Sequence, residues 1–220
     1  MGGDRMIRVH DLVKEYPTSS GTHRVLDRIG FTIERGDKLA VLGANGAGKS
    51  TLIKLIGGVE HPTSGEIRRE MSQSWPIAFQ GAFHSNLTGR DNARFIARLY
   101  DQDFDDILAR TEDFAELGDK LGEPVGTYSN GMRARLAFGL SLAIEFDCYL
   151  IDEAIVVGDQ RFQRKCFDEI FVKRADRALI LAIHYPDIVR DYCNRALLLK
   201  GGRGKVFSDI ELALRIYDGL

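Results

Sequence analysis

A chain of 220 residues, 44% of them hydrophobic, can bury one large core or two closely packed subdomains, which excludes a disordered or fibrous protein. Its 30 basic and 32 acidic residues leave a net charge of −2, so no general attraction for nucleic acid or anionic lipid is built in. The three cysteines, Cys148, Cys166 and Cys193, fit neither a disulfide framework nor a C-x-x-C zinc site and suit a reducing compartment, while no apolar run nears the roughly 20 residues of a membrane helix and residues 1–10 lack a signal-peptide core.

The first 45 residues read as strands between turns, at 7–9, 25–26, 31–33 and 38–42, and the last strand runs into a glycine-rich loop. That loop, Gly43, Ala44, Asn45, Gly46, Ala47, Gly48, Lys49 and Ser50, satisfies G-x-x-x-x-G-K-[ST] between a predicted strand and a predicted helix, the context the motif requires. Its glycines let backbone N–H groups turn inward around a β-phosphate, and the helix start adds partial positive charge. Lys49 would neutralise the β/γ oxygens and the Ser50 hydroxyl would ligate Mg²⁺, with Thr51 among the nucleotide contacts.

The helix over 49–56 carries Leu52, Ile53, Leu55 and Ile56 on one broad side and stops at Gly57 and Gly58, where positive φ is expected. A turn follows at 62–65. From 87 to 145 the pattern becomes helical, with Phe95 and Leu99 and then Ile107, Leu108, Phe114 and Leu117, which predicts an inserted helical subdomain within a core made of 1–86 and 146–220. The apolar runs at 148–151 and 178–183 read as parallel strands covered on both faces, with a helical stretch at 162–173 between them. Two short strands, 195–199 and 205–207, and a helix from Asp209 close the chain.

The first of those apolar runs ends in Asp152 and Glu153, delivering two carboxylates to the carboxyl edge of the sheet beside the phosphate loop. Asp152 would hold Mg²⁺, and Glu153 would polarise the attacking water. Upstream, Tyr128, Ser129, Asn130, Gly131 and Met132 precede an apolar helix side of Met132, Leu136, Leu140 and Ile144, and Ser129 is a good N-cap for that helix.

This segment resembles the signature motif of ABC ATPases. The resemblance implies an α/β fold, a P-loop NTPase (RecA-like) core with an N-terminal antiparallel β subdomain and an inserted α-helical signature subdomain. It also implies two subunits head to tail, with Ser129 and the Gly131 amide of one reaching the γ-phosphate held by the other. Asn130 departs from the commoner glycine, and Asn tolerates unusual backbone angles. By the same resemblance Tyr16 stacks on adenine, Asp159 crosses the dimer interface, and His184 contacts the γ-phosphate and holds the catalytic water. The glutamine that usually senses γ-phosphate and Mg²⁺ is replaced: His84 occupies the matching position, with Gln80 as the substitute candidate.

Histidine in that loop followed by Leu87, Thr88, Gly89, Arg90 and Asn92, and Val157, Gly158 and Asp159 after the glutamate, resemble bacterial ATPases that export capsular polysaccharide, O-antigen or teichoic acid. Longer runs, among them Ser74-Trp75-Pro76 and Gly158-Asp159-Gln160-Arg161-Phe162, are most similar to the capsular polysaccharide export (KpsT-like) family, and the likeness spans essentially the whole chain. It implies ATP and Mg²⁺ as ligands and a homodimer at the cytoplasmic face of the bacterial inner membrane. It further implies a six-helix ABC-2 type permease that carries the glycolipid-linked polysaccharide, and no nucleic-acid partner. The chain stops where some relatives continue into a carbohydrate-binding domain, so glycan recognition is expected to fall to the permease. An O-antigen or teichoic acid exporter ATPase and a non-transporting regulatory ABC ATPase are the alternatives.

Overall fold

The computed structural model describes residues 5–19, 21–77, 83–152 and 158–219; Glu153, Gln80, Val156 and Val157 lie outside them. Contacts divide the chain into two compact units, Met1–Pro76 with Phe146–Glu153 and Ala175–Leu220, and Ile77–Glu145 with Ala154–Arg174.

The first unit holds two sheets. Strands β1 (Met6–Thr18), β2 (Gly21–Glu34) and β4 (Ser64–Arg69) form an antiparallel sheet in the order β2-β1-β4. The six-stranded sheet contains β3 (Lys38–Gly43), β5 (Gln73–Ile77), β6 (Cys148–Asp152), β7 (Ala178–Ala182), β8 (Arg195–Lys200) and β9 (Arg203–Phe207). Its order is β5-β6-β7-β3-β8-β9, with β6, β7, β3 and β8 parallel and β9 antiparallel. Helix α1 (Lys49–Ile56) shares one core with both sheets: Leu52, Ile53, Leu55 and Ile56 join Ile7, Leu26 and Ile33 from one and Leu150, Ile180 and Leu197 from the other. Burial of β6 and β7 on both faces is what their unbroken apolar runs predict.

Register then fixes the functional edge. Ala182 of β7 lies opposite Asp152 on one side and Val41 on the other. Gly43, Asp152 and His184 therefore leave neighbouring parallel strands within two residues of the same level, at the carboxyl end where α/β sheets place their ligands.

The predicted strands at 25–26 and 31–33 are parts of one strand, β2. Asp11 and Arg28 adopt φ of 45° and 53°, and the β1–β2 register shifts between Val9 and Leu12. Such bulges break the two-residue alternation on which strand reading depends. Gly65 meets the same irregularity: a Cβ there would stand 2.3 Å from the Asp11 carbonyl oxygen. After α1 only Gly58 takes positive φ, 74°, whereas Gly57 is right-handed helical at −70°.

The second unit is helical, with α2 (Gly89–Leu99), α3 (Phe104–Ala115), α4 (Asn130–Ala143) and α5 (Gln160–Phe167). It takes in α5 as well as the predicted insert, because Phe162 packs edge-on against Phe114 and Phe138, at 5.4 and 6.2 Å between ring centroids. Phe95 and Leu99 do mark a helix, but its outward face: they are 55% and 60% exposed, while Ala93, Ile96 and Ala97 are buried. Two further helices, α6 (Pro186–Tyr192) and α7 (Ile210–Asp218), belong to the first unit.

Strand β5 contains Pro76, which has no N–H for a ladder, and nearby the buried Ser74 hydroxyl accepts the Leu150 N–H at 2.9 Å. Ser74→Ala is expected to lower unfolding free energy by about 1–2 kcal/mol in urea titration, since it orphans a buried donor; an unchanged midpoint would contradict this role.

Candidate nucleotide site

Val25, Asn45, Gly46, Gly48, Lys49, Ser50 and Thr51 line a cleft of about 260 Å³ at the carboxyl end of β3. Gly46 and Gly48 adopt φ of 80° and 101°, and a Cβ on Gly48 would lie 2.9 Å from Leu26 Cδ2. Only glycine supplies this turn without strain. Gly48 is the N-cap of α1 and contributes no side-chain cap, so the first-turn amides of α1 are presented to the loop. Lys49 is 5% exposed, and its Nζ donates to the carbonyls of Gly43 at 2.8 Å and Ala44 at 3.2 Å. Those two carbonyls fix the ammonium at the loop, where its charge and the inward-turned amides suit an anion.

The Ser50 hydroxyl donates to Asp152 Oδ1 at 2.9 Å. The two halves of the predicted Mg²⁺ site thus meet beneath the loop, as the strand register requires. Tyr16 lies at the rim: its hydroxyl donates to Glu60 and also bonds Thr51, and Lys14 Nζ sits 4.8 Å from its ring centroid. Burial, then the Glu60 carboxylate, hold the Tyr16 hydroxyl above the ordinary phenol range. His184 follows β7, with Nδ1 at 2.9 Å from the Tyr217 hydroxyl of α7. Cys148, Cys166 and Cys193 are buried, and burial pushes each thiol up to about 12, which leaves them inert at neutral pH.

The other predicted site residues belong to the helical unit. Ser129 caps α4, accepting the Met132 N–H at 3.2 Å, and Gly131 in the first turn is exposed, with only Ser129 Oγ within 4 Å of a Cβ built on it. Asn130 opens α4 without positive φ, so the tolerance of unusual angles expected of it is not used; its side chain accepts from Arg133 at 2.6 Å. His84 is exposed, and its turn is held by the buried Asn92, whose Oδ1 accepts the His84 N–H at 3.1 Å and whose amide donates to the Thr88 carbonyl at 2.9 Å.

Asp159 caps α5 through the Phe162 N–H at 2.9 Å and pairs with Arg135 of α4 at 2.8 Å. Arg135 also lies 4.5 Å over the Phe162 ring and 3.4 Å from Glu116, the left-handed cap of α3. Glu116 further accepts Arg161 and Lys165, and these hydrogen bonds hold its carboxyl well below the usual range, to about 2. Glu60, Arg135 and Glu116 carry no sequence signal of their own; each acts through partners distant in the chain.

A phosphate loop joined to a strand-end aspartate on a parallel sheet, in a chain that also holds an antiparallel sheet and a helical unit with a serine-capped helix, defines an ATP-binding cassette. The family profile described as "ABC transporter" matches residues 26–156. The chain is 55% identical to "ATP-binding protein BexA" of Haemophilus influenzae, over 97% of this chain and 98% of that protein. It is 55% identical to "Capsule polysaccharide export ATP-binding protein CtrD" of Neisseria meningitidis, over 98% and 100% of the two chains. Among solved structures, an "ATP binding subunit of ABC transporter" superposes with a TM-score of 0.80 at 24% identity, over 96% of this chain and 93% of that one. The dimeric "post-hydrolysis state of the ATP-binding cassette MJ0796 bound to ADP and Pi" gives 0.77 at 18% identity, over 92% and 98%. The chain belongs to the ABC transporter family, as an ATP-binding subunit of the ABC ATPase type.

Because the Glu116 carboxyl titrates lower when folded than unfolded, its network contributes stability above the unfolded value, near 4.5, that is lost as pH falls toward about 2. Glu116→Gln should destabilise by about 1 kcal/mol at pH 7, the modest worth of a partly exposed network, and the gap to wild type should narrow below pH 4.5. Equal urea midpoints at pH 7, or a gap that widens in acid, would contradict this.

Proposed function

We propose that this chain is the ATP-hydrolysing subunit of a bacterial exporter of capsular polysaccharide, working as a homodimer at the cytoplasmic face of the inner membrane beneath a six-helix ABC-2 type permease. The observation that carries the ATPase chemistry is the Ser50–Asp152 contact under the phosphate loop. Similarity along almost the full length to a capsule polysaccharide export ATP-binding protein supports the cargo, a lipid-linked glycan. Both compact units act as one ATPase domain, residues 1–220, with the helical unit carrying the signature.

Lys49 and the loop amides of residues 43–51 bind the triphosphate, and Tyr16 meets the adenine. Ser50 Oγ and Asp152 Oδ1 are hard oxygen donors 2.9 Å apart, a pair that suits Mg²⁺, which binds few protein ligands and keeps waters and phosphate oxygens. Bound there, Mg²⁺ supplies charge neutralisation of the phosphate oxygens. Glu153 orients the attacking water, His184 and His84 contact the γ-phosphate side, and Ser129 and Gly131 of the second copy close the site with Asp159 at the interface. Two copies joined this way are drawn together by ATP and released by hydrolysis, which gives the permease its stroke.

The exposed Phe95 and Leu99 on α2 fit the permease as partner. One turn apart on the outward face, they offer an apolar ridge to a cytoplasmic helix. Co-purification with a six-helix membrane protein, and identification of the glycolipid bound to it, tests the assignment; a soluble partner or a different lipid-linked polymer would overturn it.

Glu153→Gln should bind ATP and dimerise while hydrolysing about 100-fold more slowly; near-normal turnover would remove Glu153 from its role. Lys49→Ala should abolish binding of a fluorescent ATP analogue without unfolding the chain, and retained affinity would contradict the cradle.

A further inference from the structure

His184 stands between β7 and α6, and the contact at its Nδ1 comes from a helix that no nucleotide motif includes. Tyr217, half-buried in the last turn of α7, places its hydroxyl 2.9 Å from that nitrogen. The hydroxyl is held firmly. Ala213 and Leu214 of α7 are buried, and Asp209 caps the helix through the Leu212 N–H at 2.9 Å. Arg190 of α6 bonds Glu211 of α7 at 2.7 Å, so the helix that begins beside His184 and the helix that carries Tyr217 are tied together.

We infer that Tyr217 is a positioning residue for ATP hydrolysis: its hydroxyl fixes the ring of His184 in one orientation and one tautomer, so that Nε2 meets the terminal phosphate. The reasoning rests on the reading of His184 as the γ-phosphate contact. A neutral imidazole has one donor and one acceptor nitrogen, and a phosphate oxygen needs the donor. A tyrosine hydroxyl can donate or accept; donation to Nδ1 places the imidazole proton on Nε2, the form an anion selects. Removing the hydroxyl takes away the constraint that this bond places on the ring's orientation and tautomer. The C-terminal helix thereby becomes part of the hydrolytic apparatus, and a shift of α7 would be felt at the phosphate.

Tyr217→Phe keeps the ring and deletes only the oxygen. In the full chain with ATP and Mg²⁺, kcat should fall about tenfold while KM for ATP stays within about twofold, the pattern of a lost orienting bond to a functional histidine. In ¹⁵N-histidine spectra the His184 ring nitrogens should move from a single-tautomer pattern toward the averaged one. Unchanged kcat, or reduced kcat with an unchanged His184 spectrum and a lowered Tm, would overturn the inference in favour of simple helix packing. His184→Ala separates the layers: if it hydrolyses ATP normally, the reading of His184 fails, whereas if it is inactive and Tyr217→Phe is not impaired, only the inference about Tyr217 fails.

Discussion

A hydrogen bond between Ser50 and Asp152, residues far apart in the chain, ties the start of α1 to the end of β6. It exists because β6 and β3 flank β7 in parallel register, so that Asp152, Ala182 and Val41 lie side by side. The cradle depends on the same alignment. Its glycines turn at the end of β3, α1 starts without a side-chain cap, and Lys49 is drawn inward onto the carbonyls of Gly43 and Ala44. Slipping β6 by one residue would turn Asp152 to the other face of the sheet and dissolve the pair.

In the helical unit, charge does the equivalent organising. Glu116, at the end of α3, gathers Arg135, Arg161 and Lys165, and Arg135 passes the connection on to Asp159 at the start of α5. Arg135 lies two turns into the helix that Ser129 caps. The signature serine and the loop aspartate are consequently carried on helices joined by one guanidinium, backed by the Phe114, Phe138 and Phe162 rings. Such a unit transmits rigid movement well, which suits the travel proposed for it when nucleotide binds or leaves.

Local signals were readable and distant ones were not. The phosphate loop, the bounds of α1 and the buried strands β6 and β7 follow from motif and periodicity, and the structure has them at the expected residues. The long hairpin β1–β2 escaped because bulges near Asp11 and Arg28 interrupt alternation. Spacing of Phe95 and Leu99 announced a helix without saying which face would be covered; Ala93, Ile96 and Ala97, smaller on average, took the core. Arg135 beside Asp159 and Tyr217 against His184 are pairings of ordinary side chains across sequence, and no single-residue pattern encodes them.

In the proposed dimer a triphosphate in the cradle of one copy is covered by the Ser129 tip of another. Mixing copies that carry Asn45→Cys with copies that carry Asn130→Cys tests it, because a disulfide between the two variants is intermolecular by construction and the three native thiols are buried. With nucleotide binding confirmed for each variant and the mixture oxidised, cross-linking should rise with ATP and fall with ADP. Cross-linking that ignores nucleotide, or none in saturating ATP, would contradict it.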